Sequence, residues 1–326
     1  MKENAGRDTP GRVEQRLAIG LNVALIALIE GEPHVLCVRR PEGFGLPFGR
    51  FDPEAHRTFE LALRDFVERQ AAVPLGYVEQ LYTFGDRGRE APRASLVLGD
   101  EADRIVSVGY LALAPEALPL ALEAASWKPW YDFFPWEDRR PGAPGETLTS
   151  LTAELRAWAQ GDRSRLSRIV LAFGKSDGGW EEERALDRYE LMYEARLVAE
   201  AARDRGGSVA GEGFGERMIS DHRRILATAI GRLRGKMRYR AVILRLMKDR
   251  FTLRELQRAS EAILGFEVHQ HNFRRSVEQS GLVSKTNSTV QGTGGRPAAV
   301  YRSSGEKTVE AATGLSLPRL RPHSDG

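Results

Sequence analysis

A short segment near the carboxyl end carries polar side chains of the types that hydrogen-bond to nucleic-acid bases and phosphates. They lie within residues 269–275: His269, Gln270, His271, Asn272, Arg274 and Arg275. Asparagine and arginine can each make two hydrogen bonds to one base edge, to adenine and guanine respectively. We expect the two histidines to be neutral hydrogen-bonding groups rather than metal ligands, because no cysteine or carboxylate cluster accompanies them. The segment is therefore a candidate for nucleic-acid recognition.

The apolar residues of this segment predict the element that presents those side chains. Phe273 and Val277 are one helical turn apart, which predicts a helix over residues 269–280 whose inward face contains these two positions. The polar side chains then lie on the outward face. An alternative role for Asn272 is to cap the helix.

A second helix is predicted just before the first. Thr252 and Glu255 have the spacing of a capping box, in which each side chain accepts a hydrogen bond from the backbone of the other residue. Phe251 and Leu256 have the spacing of a hydrophobic staple, and Gly265 is expected to end the helix. Two helices at this spacing, the second rich in hydrogen-bond donors, fit a helix-turn-helix.

The residues that follow predict a wing. Residues 282–285 and 298–302 can pair as strands around the glycine-rich loop 292–297. We expect Lys285 to contact a backbone phosphate, and Arg296 to contact a phosphate or enter a minor groove. Winged helices also serve as protein-interaction modules, and the sequence leaves that alternative open.

The charge of the chain is divided unevenly between its two halves. Residues 211–326 hold 21 Lys and Arg against 11 Asp and Glu, a net of +10, whereas residues 1–210 hold 27 against 34, a net of −7. This division indicates a polyanion-binding module joined to a domain that need not touch nucleic acid; the alternative is a basic face that is only solvated. Residues 221–233 have the pattern of an amphipathic helix. The basic residues at its end could bind phosphates or form a solvated connector: Arg232, Arg234, Lys236, Arg238 and Arg240.

The front half has the pattern of an α/β domain. Apolar runs predict strands at 17–29, 34–38, 77–84 and 105–113, and a period of three to four residues predicts a helix over 56–71. The aromatic segment WKPWYDFFPW at 127–136 is expected to pack as a plug, with ligand stacking as the alternative.

Two segments of this half, residues 46–51 and 64–71, resemble a Nudix box. Glutamates one turn apart on the helix of such a box hold Mg²⁺ against a diphosphate. Arg64 and Glu68 keep the residue types of the box. Other positions are replaced: Asp65, Arg69, Ala71 and, near the upstream glutamate, Ala55 or His56. Because Arg69 brings a positive charge to a metal-ligand position, we expect no metal site, no catalytic residue and no hydrolysis.

Segments of the back half resemble the carboxyl-terminal region of the Nudix-related transcriptional regulators of NAD metabolism. They are HRRIL at 222–226, LRGK at 233–236, FTL at 251–253, NFRR at 272–275, and Arg296-Pro297 with Tyr301. In that family a Nudix-like domain senses ADP-ribose or a related nucleotide without hydrolysing it, and the winged helix binds an operator as a dimer. The resemblance therefore implies a regulator of NAD-related metabolism, with repression as the expected sign.

The effector of such a regulator carries a diphosphate, which arginine guanidiniums bind with paired hydrogen bonds. We expect the ligand contacts to come from the front half: Arg39, Arg40, Arg50, Arg64 and Glu68. For each arginine the alternative is a surface or salt-bridged role. An active Mg²⁺-dependent hydrolase and a pure protein-interaction module remain the alternatives for the domain as a whole.

The expected fold class is α+β, with five segments. A Nudix-like α/β/α sandwich occupies residues 17–136, a helical insertion 137–210, and a winged helix-turn-helix 211–303, between flexible tails at 1–16 and 304–326. The single cysteine, Cys37, excludes an internal disulfide, and no apolar run is long enough to span a bilayer. We expect a cytoplasmic homodimer that binds double-stranded operator DNA and a nucleotide metabolite, with no cofactor and no membrane partner.

Overall fold

A seven-stranded mixed sheet lies at the centre of the front half. The computed structural model describes residues 17–86, 89, 104–115, 117, 120, 122–143, 145–174, 179–206, 213–290 and 297–305. The strands are β1 (Leu17–Ile29), β2 (Glu32–Arg40), β3 (Gly43–Gly45), β4 (Phe48–Arg50), β5 (Tyr77–Phe84), β6 (Arg104–Leu113) and β7 (Ala125–Pro129). Their main order is β3-β2-β1-β6-β5, with β4 paired to β1 and β7 to β2. The predicted tail at 1–16, most of the tail at 304–326 and Arg296 lie outside the described residues.

Helices cover both faces of this sheet. Alternate residues of β1 point to opposite faces. Leu21, Val23 and Leu25 are buried against α1 (Phe59–Ala71), and Ala24 and Ile26 are buried on the face covered by α7 (His222–Tyr239). The predicted α/β/α sandwich is therefore confirmed, with β1 as its most buried strand.

Helix α1 has a well-formed beginning and a strained end. The side chain of Thr58 caps the helix by accepting a hydrogen bond from the backbone N–H of Leu61 at 3.2 Å. Ala72 follows the last turn in the left-handed region, with φ of 54°. A Cβ atom disfavours that conformation, which glycine adopts freely.

A helical layer follows the sheet in the chain. It contains α2 (Trp130–Phe133), α3 (Gly145–Ala159), α4 (Arg163–Phe173), α5 (Ala185–Glu194) and α6 (Ala199–Arg205), with short 3-10 turns at Pro135–Glu137 and Glu182–Arg184. Buried residues of this layer, such as Leu155 and Met192, belong to the same apolar cluster as Ile26 of the sheet and Ile230 of α7. The layer thus shares one continuous core with the α7 face of the sheet.

The aromatic segment at 127–136 is a packing element. Trp130, Phe133, Phe134 and Trp136 are each at most 1% exposed. Phe134 makes edge contacts with Trp136 and with Tyr189 of α5. The prediction of a packed plug is therefore confirmed, and stacking on a ligand is not available to these rings.

Helix α7 corrects the predicted domain boundary at residue 211. Its apolar stripe is fully buried and packs on β1, β5 and β6: Ile225, Leu226, Ala229, Ile230 and Leu233. Because this stripe covers the sheet, α7 belongs to the sandwich and not to the winged helix. The helix has 18 residues, and neither it nor any other helix of the described ranges is long and apolar enough to cross a membrane.

The winged helix begins after α7. A 3-10 turn at Val242–Leu246 leads into β8 (Phe251–Thr252), α8 (Leu253–Leu264), α9 (Gln270–Gln279), β9 (Val283–Val290) and β10 (Ala298–Ser303). The three strands form a separate antiparallel sheet in the order β8-β10-β9. The predicted helix-turn-helix and wing are therefore confirmed, and β9 extends five residues beyond the predicted end at Lys285.

Candidate functional site

The first helix of the helix-turn-helix has both of its predicted end signals. Thr252 Oγ1 accepts a hydrogen bond from the backbone N–H of Glu255 at 3.2 Å, and Glu255 Oε2 accepts one from the backbone N–H of Thr252 at 2.7 Å. Gly265 ends α8 in the left-handed region, with φ of 79°. These local interactions set the direction in which the chain turns toward α9.

Helix α9 is held by two apolar residues and exposes the rest of its surface. Phe273 is 1% exposed and Val277 is fully buried. All of the side chains predicted to contact DNA on this helix are exposed: His269, Gln270, His271, Asn272, Arg274 and Arg275. His269 occupies the N-cap position and its side chain makes no capping hydrogen bond. Asn272 lies inside the helix, so the alternative of a capping role for it is wrong.

The wing lies beside the recognition helix. The hydroxyl of Tyr301 on β10 donates a hydrogen bond to Glu278 of α9 at 3.1 Å. Lys285 of β9 is directly opposite Tyr301 and is exposed, so it lies on the same face of the small sheet. Arg296, predicted at the tip of the wing, lies outside the described residues.

The winged helix keeps a positive charge of its own. Residues 243–303 hold ten Lys and Arg against five Asp and Glu. Arg274 and Arg275 form no ion pair with another residue that the structure describes. The face of α9 therefore presents cations that are available to a polyanion.

The phosphate contact predicted for Arg240, which is exposed just after α7, stays a prediction. The basic residues of α7 itself have acidic partners within the chain, which corrects the prediction that they could bind phosphates. They form ion pairs with acidic residues of the front half: Arg223 with Glu200, Arg224 with Asp86 and Glu190, Arg232 and Lys236 with Glu79, Arg234 with Glu137, and Arg238 with Glu182 and Glu183. Part of the charge difference between the two halves therefore holds the sandwich together.

The helix of the box-like segment mixes acidic and basic side chains on its exposed surface. Asp65 forms an ion pair with Arg69 at 2.7 Å and lies 3.3 Å from Nε2 of His56. Glu68 is exposed one turn away. Among the described residues, no group of three His, Cys, Asp or Glu side chains is placed to hold a metal ion. Asp65 is therefore paired with the positive charge of Arg69 on the exposed surface of α1.

Arg64 has the salt-bridged role that the sequence left open as its alternative, and its predicted ligand contact stays a prediction. Its guanidinium donates to Glu60 at 2.8 and 3.0 Å and to the backbone oxygens of Leu75 and Gly76, the latter at 3.1 Å. These bonds tie α1 to the start of β5. Its guanidinium is therefore engaged within the protein, while Glu68, another predicted ligand residue, lies one turn further along α1.

Arg39, Arg40 and Arg50 lie at one end of the sheet. The guanidinium of Arg39 lies 4.7 Å from the ring centre of Phe44, and that of Arg40 lies 5.3 Å from the ring centre of Phe48. Nε of Arg40 is buried and has no hydrogen-bond partner among the residues that the structure describes. Arg50 follows Phe48 on β4 and pairs with Gly20 of β1. Arg39 therefore lies against β3, and Arg40 and Arg50 lie at β4.

Two side chains that hold this end were not assigned by sequence reasoning. Gln70 makes two hydrogen bonds to the backbone of Phe48, at 2.6 and 3.3 Å. Nδ1 of His222 accepts a hydrogen bond from the backbone N–H of Leu46 at 2.9 Å. Burial, with smaller effects of Arg203 and Arg40, lowers the pKa of His222 to about 3, so its ring is neutral. Gln70 is 22 positions from Phe48, and His222 is 176 positions from Leu46. No local sequence pattern predicts contacts between residues so far apart in the chain.

Comparison with known proteins assigns the back half. Residues 243–303 match the family described as the NrtR DNA-binding winged helix domain. The ADPR responsive transcriptional repressor NtrR of Acinetobacter baylyi is 43% identical over 82 residues, which are 25% of this chain and 32% of that protein. The match thus spans about a third of the length of this relative.

Comparison with solved structures assigns the fold of the chain. The crystal structure of Shewanella oneidensis NrtR with a 27mer DNA has a TM-score of 0.55 at 19% identity, covering 92% of this chain and 99% of that one. A MutT/nudix family protein from Enterococcus faecalis has a TM-score of 0.51 at 15% identity, covering 91% and 89%. The chain therefore has the α+β fold of these proteins, and the resemblance predicted from the sequence is confirmed for the fold and for the winged helix.

Proposed function

We propose that this chain is a DNA-binding transcriptional repressor whose affinity for its operator is changed by a nucleotide diphosphate metabolite. The observation that carries the proposal is the winged helix at 243–303, whose α9 exposes the polar face predicted for base recognition. Arg274 and Arg275 supply base or phosphate contacts, and Lys285 on the wing supplies a phosphate contact. We propose that the repressor acts in the cytoplasm as a homodimer on double-stranded DNA.

The Nudix-like sandwich is the sensor in this proposal. Arg39, Arg40 and Arg50 at the end of the sheet are its candidate diphosphate contacts, with the buried Nε of Arg40 as the donor that still needs a partner. The relative from Acinetobacter baylyi is named as responsive to ADPR. That name favours ADP-ribose as the first effector to test. The resemblance of the back half to regulators of NAD metabolism favours control of NAD-related metabolism as the process.

The sandwich senses the nucleotide without hydrolysing it. The sequence of the box supports this part of the proposal, because Mg²⁺ takes oxygen ligands and Arg69 places a guanidinium where the box has a glutamate. The effector must then act by binding more tightly to the conformation that docks poorly on DNA, since a ligand shifts an equilibrium only through a difference in affinity.

The test is a DNA-binding measurement on the full chain. Duplexes are enriched from a random-sequence pool, and the affinity for the best duplex is measured by fluorescence anisotropy at fixed salt. We expect at least about a 1,000-fold preference over a scrambled duplex, as is typical of specific regulators. We also expect ADP-ribose to weaken binding by about 5- to 150-fold.

The two parts of the proposal fail separately. If no duplex is enriched, the DNA-binding function is overturned. If the enriched duplex is bound equally well with and without ADP-ribose, the effector is a different molecule or the sandwich is a protein-interaction module.

A further inference from the structure

The end of the first helix of the helix-turn-helix is bonded to residues outside the winged helix. Nε of Arg234 donates to the backbone oxygen of Ile263 at 2.8 Å, and the hydroxyl of Tyr131 donates to that of Ala262 at 2.7 Å. The backbone N–H of Arg139 donates to the oxygen of Gly265 at 2.7 Å. The last carbonyl oxygens of a helix have no hydrogen-bond donor within the helix. At the end of α8, the donors come from residues outside the winged helix.

Arg234 is held in place by a buried ion-pair network. Glu137 accepts hydrogen bonds from Arg234 and, at 2.6 and 2.9 Å, from Arg188 of α5. All three side chains are 0% exposed. Burial alone would raise the pKa of Glu137, but the attraction of the two guanidiniums outweighs it and lowers that pKa. Glu137 is therefore a carboxylate that holds two arginines.

The network depends on all three of its members being present. Well-packed apolar residues often replace buried ion pairs at no cost in stability, whereas removal of one partner is strongly destabilising. The geometry at Gly265 is equally restrictive, because a Cβ atom there would overlap the backbone oxygen of Glu137. The end of α8 can thus sit against Glu137 in few ways.

The same residues are connected to the end of the sheet that carries the predicted ligand contacts. Tyr131 lies on α2, which follows β7 without a break. Strand β7 pairs with β2 from His34 opposite Pro129 to Val38 opposite Ala125, and β2 ends at Arg39 and Arg40. In the other direction, four residues separate Gly265 from the first residue of α9. Direct contacts therefore join β2 and β7, through α2, to the end of α8 and the turn before α9.

We propose that Tyr131, Glu137 and Arg234 are positioning residues that couple the sandwich to the recognition helix. They hold the end of α8, and through it α9, at one orientation relative to β2 and β7. This inference rests on the proposed function, since it describes how occupancy of the sandwich and binding of DNA affect each other. Coupling is reciprocal, so binding of DNA to α9 must also change the sandwich.

The experiment measures that reciprocal effect and needs no knowledge of the effector. Amide hydrogen exchange is followed in the full chain with and without the enriched duplex, in segments 32–40 and 127–139. In the wild-type protein we expect DNA to slow exchange in both segments by about fivefold or more, the lower end of typical coupling. In Tyr131→Phe, which removes one hydroxyl and leaves the ring in place, we expect less than a twofold change.

Tyr193→Phe is the matched control, because its hydroxyl bonds to Asp204 at 3.0 Å, away from α8. It should behave as the wild type does. The inference is overturned if Tyr131→Phe responds to DNA as the wild type does, or if DNA leaves both segments of the wild type unchanged. A chain that binds no duplex overturns the proposed function, and the inference with it; a chain that binds DNA without this response overturns the inference alone.

Discussion

The buried carboxylate of Glu137 gives the sharpest stability prediction. The substitution Glu137→Gln keeps the size of the side chain and removes the charge that Arg188 and Arg234 share. Because all three side chains are 0% exposed, the variant leaves two buried guanidiniums without a counter-charge. Breaking a buried pair in this way costs about 3–5 kcal/mol. We expect a loss near the lower value, about 3 kcal/mol, since the amide oxygen still accepts one hydrogen bond.

The assay is urea unfolding followed by circular dichroism, with Glu194→Gln as the matched control. Glu194 also pairs with an arginine, Arg168, but these side chains are 40% and 45% exposed. Exposed ion pairs contribute at most about 1 kcal/mol. The reasoning is refuted if both variants lose the same small amount, or if Glu137→Gln unfolds at the wild-type urea concentration.

The same carboxylate also predicts a pH dependence of stability. The arginines lower the folded-state pKa of Glu137 against the effect of burial, so the folded protein holds this proton less tightly than the unfolded chain does. Its contribution is complete above the pKa of an unfolded glutamate, about 4.3, and is lost as the pH falls through the lower folded-state value. Below about pH 4.3 the free energy of unfolding of Glu137→Gln should therefore fall less steeply than that of the wild type.

Three further predictions concern the end of α1, the wing and the box-like segment. Ala72→Gly should raise the free energy of unfolding by about 1 kcal/mol, because φ of 54° disfavours a Cβ atom; a destabilised variant would contradict this reading of the end of α1. Lys285→Ala should weaken binding to all duplexes and lower the slope of log affinity against log salt by about 1; an unchanged slope means a solvated lysine. Incubation with Mg²⁺ or Mn²⁺ and ADP-ribose, NADH or dinucleoside polyphosphates should release no product above a denatured control; multiple turnover would favour the hydrolase alternative.

Local signals in the sequence predicted the winged helix well. The capping box joins Thr252 and Glu255, which are three positions apart, and the stripe joins Phe273 and Val277, which are four positions apart. The end of α8 depends on a single residue, Gly265. Such interactions form within one element, so residue type and spacing predict them. The exposed face of α9 followed from the same stripe.

Long-range pairs were not predictable in the same way. The apolar stripe of α7 predicts that one side of the helix is buried, but not which surface covers that side. The sequence placed α7 in the winged-helix domain, whereas in the structure its stripe packs on the sheet of the sandwich. Arg234 and Glu137 are 97 positions apart, so Arg234 has the sequence pattern of any basic surface residue. Arg64 matched a box residue, yet its donors face β5 because the loop after α1 returns beside it.

The most direct test of the proposed function is operator binding by Arg274→Ala and Arg275→Ala. Arg163→Ala on α4 is the control, since it removes the same charge from an exposed helix of the helical layer. Each bidentate base contact contributes about 1–3 kcal/mol, so we expect at least one of the two variants to bind the enriched duplex about 5- to 150-fold more weakly, with an unchanged melting temperature. If both variants bind that duplex as tightly as the wild type and Arg163→Ala, α9 is not the helix that recognises DNA.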